Sequence, residues 1–309
     1  MHNESEEVPG LSVVIPAYNE AHAISAVLDR LCTVLAAAGL RFEIIVVDDG
    51  SEDGTGDIAR QAGATVYRHP KNRGYGAALK TGIRRAQHET IVITDADGTY
   101  PCESVPELVA LFHKGQHDMV VGSRTGAQVA VPWARRPGKW IIGRLAEYVA
   151  GESIPDINSG LRVLRRDSAL QLLRLLPDGF SFTTTITLAM MANGFSVEYS
   201  AIDYHPRVGR SKIRPVQDML NFLRLISRMA LYFAPLKIFI PLSLFLFGVA
   251  LIWGLVSKFV LGEFADVSTL IVISAGLQVF TVGLLADLID QRLLNHSSIK
   301  RTDDGDGAV

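Results

Sequence analysis

The sequence predicts an α/β domain on a mostly parallel sheet, followed by a two-helix transmembrane anchor. Three observations carry this. Short, wholly apolar runs alternate with helical patterns from Leu11 to Gly122. Polar and acidic clusters stand directly after several of those runs. Two uncharged stretches of about 20 residues each lie near the C-terminus, each long enough to cross a hydrocarbon core as a helix.

The elements follow in order. Leu11 to Pro16 is a β-branched apolar run and predicts the first strand. Ile24, Val27, Leu28, Leu31, Val34 and Leu35 recur at helical spacing and predict the first helix. Phe42 to Val47 predicts a second strand, stopped by Asp48-Asp49-Gly50-Ser51. A helix is expected from about Thr55 to Gln61, a strand over Ala64 to Tyr67 and a helix over Gly74 to Ala86. Thr90 to Thr94 predicts the fourth strand, ending at Asp95, and Met119 to Gly122 the fifth. Helices near 167–176 and 183–192 and a strand over Phe195 to Ile202 complete the domain. In sheets of this type ligands bind beyond the carboxyl ends of the strands. Ala17-Tyr18-Asn19-Glu20, Asp48-Asp49 and Asp95 with Asp97 all fall on that edge.

The remaining chain is organised differently. Val216 to Phe233 sets Leu220, Leu223, Ile226 and Met229 among Arg224 and Arg228, as an amphipathic helix at a membrane surface does, although a linker or core helix has the same look. The expected organisation is a polar tail over 1–10 and the globular domain over 11–214. An interfacial helix over 215–234 and spans over 235–258 and 267–291 follow, with a disordered tail over 296–309. Arg224, Arg228, Lys237, Arg292, Lys300 and Arg301 flank the outer ends of the two spans, against Lys258, Glu263 and Asp266 between them. The positive-inside rule then sets the globular domain and both termini in the cytoplasm of an integral membrane protein. The acidic, polar N-terminus lacks the basic and apolar regions of a secretory signal, which agrees.

Composition removes several classes. A net charge of -2 gives no global sign of nucleic-acid binding, which normally shows as a basic domain. Cys32 and Cys102 match no zinc spacing and read as free thiols of a reducing compartment. Mean hydropathy is +0.23, and the apolar excess sits after about residue 230.

Asp95-Ala96-Asp97 leaves a strand end with two carboxylates one residue apart. Such a pair suits a hard divalent cation, Mg2+ or Mn2+, bridging to phosphates. A cation on a diphosphate stabilises negative charge on a leaving group. At Asp48-Asp49 a carboxylate could accept from a base or ribose; an Asx turn leading into a helix N-cap is the alternative.

The strings VVIPAYNE, IIVVDDGSEDGT, DADGTYP, VVGSR and DINSGLRVLRR occur in this order. Over about residues 11–214 the chain resembles family 2 glycosyltransferases of GT-A (Rossmann-like) fold. It is most similar to the branch of dolichol-phosphate mannosyltransferases and bacterial polyprenyl-phosphate glycosyltransferases. The resemblance implies inverting transfer of a hexose from a nucleotide sugar, GDP-mannose or a UDP-sugar, to a dolichyl or undecaprenyl phosphate at the bilayer. Pro16, Ala17, Tyr18, Glu20, Val47 and Asp49 then match nucleotide-binding motifs. Asp95, Ala96 and Asp97 match the metal and donor motif, and Arg124 an arginine near the donor phosphates or sugar. Arg207 and Lys212, in HPRVGRSK, resemble a later phosphate-binding stretch, so the catalytic set is Asp97, Arg124, Arg207 and Lys212. Arg135, Arg136 and Lys139, between Trp133 and Trp140, suit an interfacial patch receiving the acceptor phosphate together with Arg207 and Lys212; an ordinary amphipathic surface helix is the alternative. Thr99 stands where many relatives carry a glutamine, which leaves a third protein ligand to the metal in doubt.

Two other readings compete. A processive polysaccharide synthase shares the early motifs but carries a Q-x-x-R-W motif and a larger membrane channel, and neither is found in this sequence. A catalytically silent membrane scaffold would have no use for the intact carboxylates. Two membrane helices also permit a homo-oligomer.

Overall fold

The computed structural model describes residues 10–125, 144, 147–148, 151–179, 181–204, 231, 235–260 and 266–303. The chain divides into two units, Met1–Phe222 and Leu223–Val309. The first holds β1 (Leu11–Ala17), α1 (Ile24–Ala37), β2 (Phe42–Asp48), α2 (Thr55–Gln61), β3 (Thr65–Arg68), α3 (Tyr75–Arg85) and β4 (Thr90–Ile93). It continues with α4 (Val105–Gly115), β5 (Met119–Ser123), β6 (Arg162–Arg165), α5 (Arg166–Leu172), α6 (Phe182–Ala192) and β7 (Val197–Ala201).

The strands form a seven-stranded sheet in the order β3-β2-β1-β4-β6-β5-β7. Every residue of β1 and β4 is buried, which is why both strands read as unbroken apolar runs instead of alternating ones. Ile24, Val27, Leu28, Leu31 and Leu35 of α1 bury their shared face in the core with Val13, Ile15 and Val46. Gly82 lets α3 lie close on β1, since a Cβ there would overlap the Val14 side chain.

The sheet is parallel except for β6, which pairs antiparallel with both β4 and β5. The sequence pattern predicts no strand here. Four residues that begin and end on arginine, Arg162-Val163-Leu164-Arg165, carry too little periodicity to announce one. The helix α4 was likewise not anticipated, although Leu108, Val109 and Phe112 bury its inner face.

The second unit contains α7 (Pro235–Phe259) and α8 (Asp266–Asp303). Within them, Pro235–Phe259 and Val267–Ile289 are long and apolar enough to cross a membrane, with mean hydropathies of 2.4 and 2.0. The two helices pack through small residues. Ser243, Ala250, Gly254 and Ser257 are buried on α7, Phe247 packs on Gly276 and Phe239 on Gly283. The hydroxyls of Ser243 and Ser257 donate back to the Ile240 and Gly254 carbonyls, so neither is an unsatisfied polar group in an apolar seam. Leu244, Phe245, Leu251, Ile252, Leu270 and Ile271 point outward, each more than 60% exposed.

Candidate functional site

The carboxyl ends of β1, β2 and β4 lie side by side because the three strands are parallel and in register, Ala17 opposite Asp48 and Val14 opposite Ile93. The loops leaving β1 and β2 are laced together. The Asn19 amide donates to Ser51 Oγ and the Glu20 amide to Thr55 Oγ1, while Asn19 Oδ1 accepts from the Glu52 amide. Asn19 reaches a left-handed conformation (φ 57°), which Asn tolerates better than most residues. Between these fixed points Tyr18 stands 45% exposed on the strand edge. Pro16 and Ala17 lie in β1, with Pro16 opposite Val47 of β2.

Asp48 and Asp49 are both buried and both serve the loops. Asp48 Oδ1 accepts from the Ser51 amide and its carboxylate lies 3.3 Å from Arg68 Nε. Asp49 accepts from the Arg73 and Gly74 amides and from His69 Nδ1 at 2.6 Å, with His69 Nε2 2.9 Å from Thr81 Oγ1. The sequence expectation of a base or ribose contact at Asp49 thus meets a carboxylate already anchoring the entry to α3.

Asp95 and Asp97 leave β4 on the same edge. Asp95 Oδ1 accepts from the Tyr75 hydroxyl at 2.9 Å. Burial, reinforced by the Asp95 charge, pushes the Tyr75 phenol well above its usual range, and the same two causes push Tyr100 up to about 12. Both phenols keep their protons at neutral pH, so Tyr75 remains a donor to Asp95. Asp97 Oδ1 accepts from Thr99 twice, from the amide at 3.1 Å and from the hydroxyl at 2.7 Å. Thr99, which stands where many relatives carry a glutamine, is buried and holds Asp97 by these two bonds.

The wall facing Asp95 comes from the turn before β6. Gly160 lies so close that an added Cβ would sit 2.8 Å from Asp95 Oδ2, and its amide donates to the Tyr100 hydroxyl at 2.6 Å. At the other end of this turn Asp156 grips Arg124, which follows β5. It accepts from Arg124 Nε at 2.7 Å, from Nη2 at 2.9 Å and from the Arg124 amide at 3.1 Å. Burial alone would push the Asp156 carboxyl up, but the Arg124 bonds hold it below the usual carboxylate range. Burial likewise opposes the charge on Arg124, and Asp156 more than offsets it, so the guanidinium stays charged. The pair leaves other Arg124 N–H groups for a second anion. The Tyr204 ring lies under Arg124 at 5.3 Å and meets Tyr100 edge-on at 5.4 Å.

Contacts therefore run unbroken from Asp95 through Gly160, Tyr100 and Tyr204 to Arg124 and Asp156. Arg124 was anticipated from the sequence; Tyr75, Tyr100, Asp156, Gly160 and Tyr204 were not. The signal for two of them lay in the string DINSGLRVLRR, which brackets Asp156 and Gly160. Arg135, Arg136, Lys139, Arg207 and Lys212 lie outside the described residues.

The chemistry of the site fits a hard divalent cation. Asp95 and Asp97 offer oxygen ligands only, and among the described residues no group of three or more His, Cys, Asp or Glu gathers into a closed all-protein cage. Mg2+ in particular is commonly held by one or two carboxylates, with water and substrate phosphates in its remaining positions.

Comparison with known proteins agrees with this geometry. The glycosyl transferase family 2 pattern matches residues 12–173, and the GtrB C-terminal hairpin matches residues 234–291. The chain is 33% identical over 206 residues to the dolichyl-phosphate hexose transferase of Haloferax volcanii, covering 66% of this chain and 87% of that protein. It is 34% identical over 167 residues to the undecaprenyl-phosphate 4-deoxy-4-formamido-L-arabinose transferase of Serratia proteamaculans, covering 52% of this chain and 50% of that relative. In fold it is similar to the mannosyl-3-phosphoglycerate synthase of Rubrobacter xylanophilus (TM-score 0.58, 20% identity, 72% of this chain and 74% of that one). It is also similar to the glucosyl-3-phosphoglycerate synthase of Mycobacterium tuberculosis in complex with Mn2+, uridine diphosphate and phosphoglyceric acid (TM-score 0.55, 23% identity, 72% and 78%). With more than half of its length matched and its strand-end carboxylates in place, the chain belongs to glycosyl transferase family 2 and is a glycosyltransferase on a GT-A-like domain.

Proposed function

We propose that this chain transfers a hexose from a nucleoside-diphosphate sugar to a polyprenyl phosphate, with inversion, at the cytoplasmic face of the membrane it is anchored in. The observation that carries this is one chain holding two kinds of part. One is a strand-end carboxylate pair beside an ion-paired arginine; the other is a pair of helices fit for a bilayer. An acceptor carried in the membrane gives the anchor a purpose that a soluble acceptor does not. The relatives named for dolichyl and undecaprenyl phosphate support the same reading.

The residues then divide the work. Asp95 and Asp97 would hold Mg2+ or Mn2+, which when bound supplies positive charge to the departing diphosphate. Tyr75 and Thr99 keep the two carboxylates oriented. Arg124, pinned by Asp156, presents fixed N–H donors to the donor phosphates, so no reorganisation is needed as charge develops. Pro16, Ala17, Tyr18, Glu20, Val47 and Asp49, at the ends of β1 and β2, are assigned to the nucleoside. Arg135, Arg136, Lys139, Arg207 and Lys212 are assigned to the acceptor phosphate. An acceptor phosphate oxygen is already ionised at neutral pH, so the enzyme needs no general base. It forms the new bond to the anomeric carbon as the bond from that carbon to the diphosphate oxygen breaks on the opposite face. Catalysis is then positioning and charge stabilisation.

The test uses the full chain in detergent with undecaprenyl phosphate and radiolabelled GDP-mannose, UDP-glucose and other UDP-hexoses. Label is expected in the organic phase with one donor, lost on EDTA and restored by Mn2+ or Mg2+. Transfer only to water-soluble acceptors overturns the proposal. A smaller change probes the wall of the site. Gly160→Ala sets a methyl against Asp95 and is expected to lower transfer by about tenfold or more while the protein stays folded. Lipid-linked product measured at saturating cation reads this effect.

A further inference from the structure

Arg162 opens β6 and is fully buried, yet among the described residues no carboxylate pairs with it. Burial pulls its guanidinium below the ordinary arginine value, so the position is a costly one for a cation. Its partners are neutral, three oxygens and the Met119 sulfur, which accepts from Nη1 at 3.6 Å. Nε donates to the Ser159 carbonyl at 2.7 Å, Nη2 to the Ile157 carbonyl at 3.1 Å and Nη1 to Thr187 Oγ1 at 2.6 Å. Both carbonyls belong to the turn that carries Asp156 at one end and Gly160 at the other. The third oxygen sits on α6, whose hydroxyl-rich run Thr183-Thr184-Thr185 and Thr187 is buried. Thr187 gives its own proton to the Thr183 carbonyl, which leaves its oxygen free to accept from Arg162. Thr184 holds the same turn by a bond to Asn158 Oδ1, and Ser159 Oγ donates to the Gly122 carbonyl at the end of β5.

A planar fork is the side chain that can reach three oxygens set in different directions; lysine or glutamine at this place would satisfy fewer. Among the described residues none of its hydrogen bonds is with Asp95, Asp97 or Arg124, so its bonded link to the chemistry is that turn, while its charge also lies near Asp156, Tyr75 and Tyr100.

We propose that Arg162 is a positioning residue. It fixes the Asp156–Gly160 turn so that Asp156 meets Arg124 and Gly160 walls Asp95, and it thereby sets the affinity of the Asp95–Asp97 pair for a divalent cation. This rests on the metal reading given above.

The test is a binding measurement on the full chain in detergent. Mn2+ is titrated into the protein with UDP or with GDP, and free Mn2+ is followed by its electron paramagnetic resonance signal. Arg162→Met is expected to raise the half-saturating Mn2+ concentration about tenfold, the usual size of effect for groups that orient metal ligands. Thr187→Val, which removes one of the three oxygens and keeps the volume, is expected to raise it about threefold. A purely structural role lowers the melting temperature and the folded fraction but leaves the midpoint of the folded protein unchanged. That result in either folded variant overturns the inference. Should Arg162→Met fail to fold, Thr187→Val decides alone. Wild-type protein that takes up no Mn2+ with either nucleotide overturns the metal reading, and this inference with it.

Discussion

Asp97→Asn is expected to lower lipid-linked product by about 10³-fold while leaving the melting temperature near that of the wild type. The substitution isolates charge from shape. Asparagine can present an oxygen where Asp97 Oδ1 now accepts from the Thr99 amide and hydroxyl, so the turn keeps both bonds. What it removes is one of two negative charges for the cation, and with it the charge balance of the departing diphosphate. Raising Mn2+ should recover part of the activity if weakened binding dominates. Near-wild-type turnover at any cation concentration would sink the assignment of Asp97. Asp95→Asn offers the matched control, because Tyr75 can still donate to its oxygen.

Asp156→Ala is expected to act on both stability and rate. Arg124 is largely buried, with a side chain 25% exposed, and Asp156 is 9% exposed; removing the carboxylate leaves a guanidinium in low dielectric without its partner. Breaking such a pair from one side typically costs about 3–5 kcal/mol. Transfer should fall by about 10²-fold at saturating cation, mainly in kcat, because Arg124 loses its fixed aim at charge that develops in the transition state. The acid limb of stability gives a second readout. The folded Asp156 carboxyl lies below its unfolded value, so its contribution is fully present above about pH 4 and is lost as pH falls through the folded value. Wild type should therefore lose stability below about pH 4 more steeply than Asp156→Ala. Superimposable acid melts would show that the pair contributes nothing to folding.

The parts legible in the sequence were those whose signal is local. Unbroken apolar runs announced β1, β2 and β4 because strands buried on both faces have no polar phase to show. Asp95 and Asp97 were legible because a strand end followed by two spaced carboxylates is a contiguous pattern. The Asp156–Gly160 wall was not, since its meaning depends on a long-range encounter: Gly160 matters only because Asp95 stands against it, and Asp156 only because Arg124 does. The part Thr99 plays is hidden for a related reason: only the structure shows its hydroxyl turned back on Asp97. The buried threonines of α6 gave no warning either, because their partners, Asn158 in the turn and Arg162 in β6, precede them by more than twenty residues.

The antiparallel course of β6 has a consequence for the order in which the molecule is made. When synthesis has passed Ser123, β1 to β4 can already pair as a four-stranded parallel layer, but β4 is then an open edge of apolar residues and β5 has no neighbour in the sheet. Only the arrival of β6, with Arg162 opposite Ile93 and Val121, joins the two, and β7 can close the far side only later in the chain. Pairings across such sequence separations form slowly, and an open apolar strand is a template for pairing with the wrong chain. A nascent or truncated chain ending before Arg162 should thus be prone to aggregate, and the last strand into the middle of the sheet is also the one that delivers the wall facing Asp95.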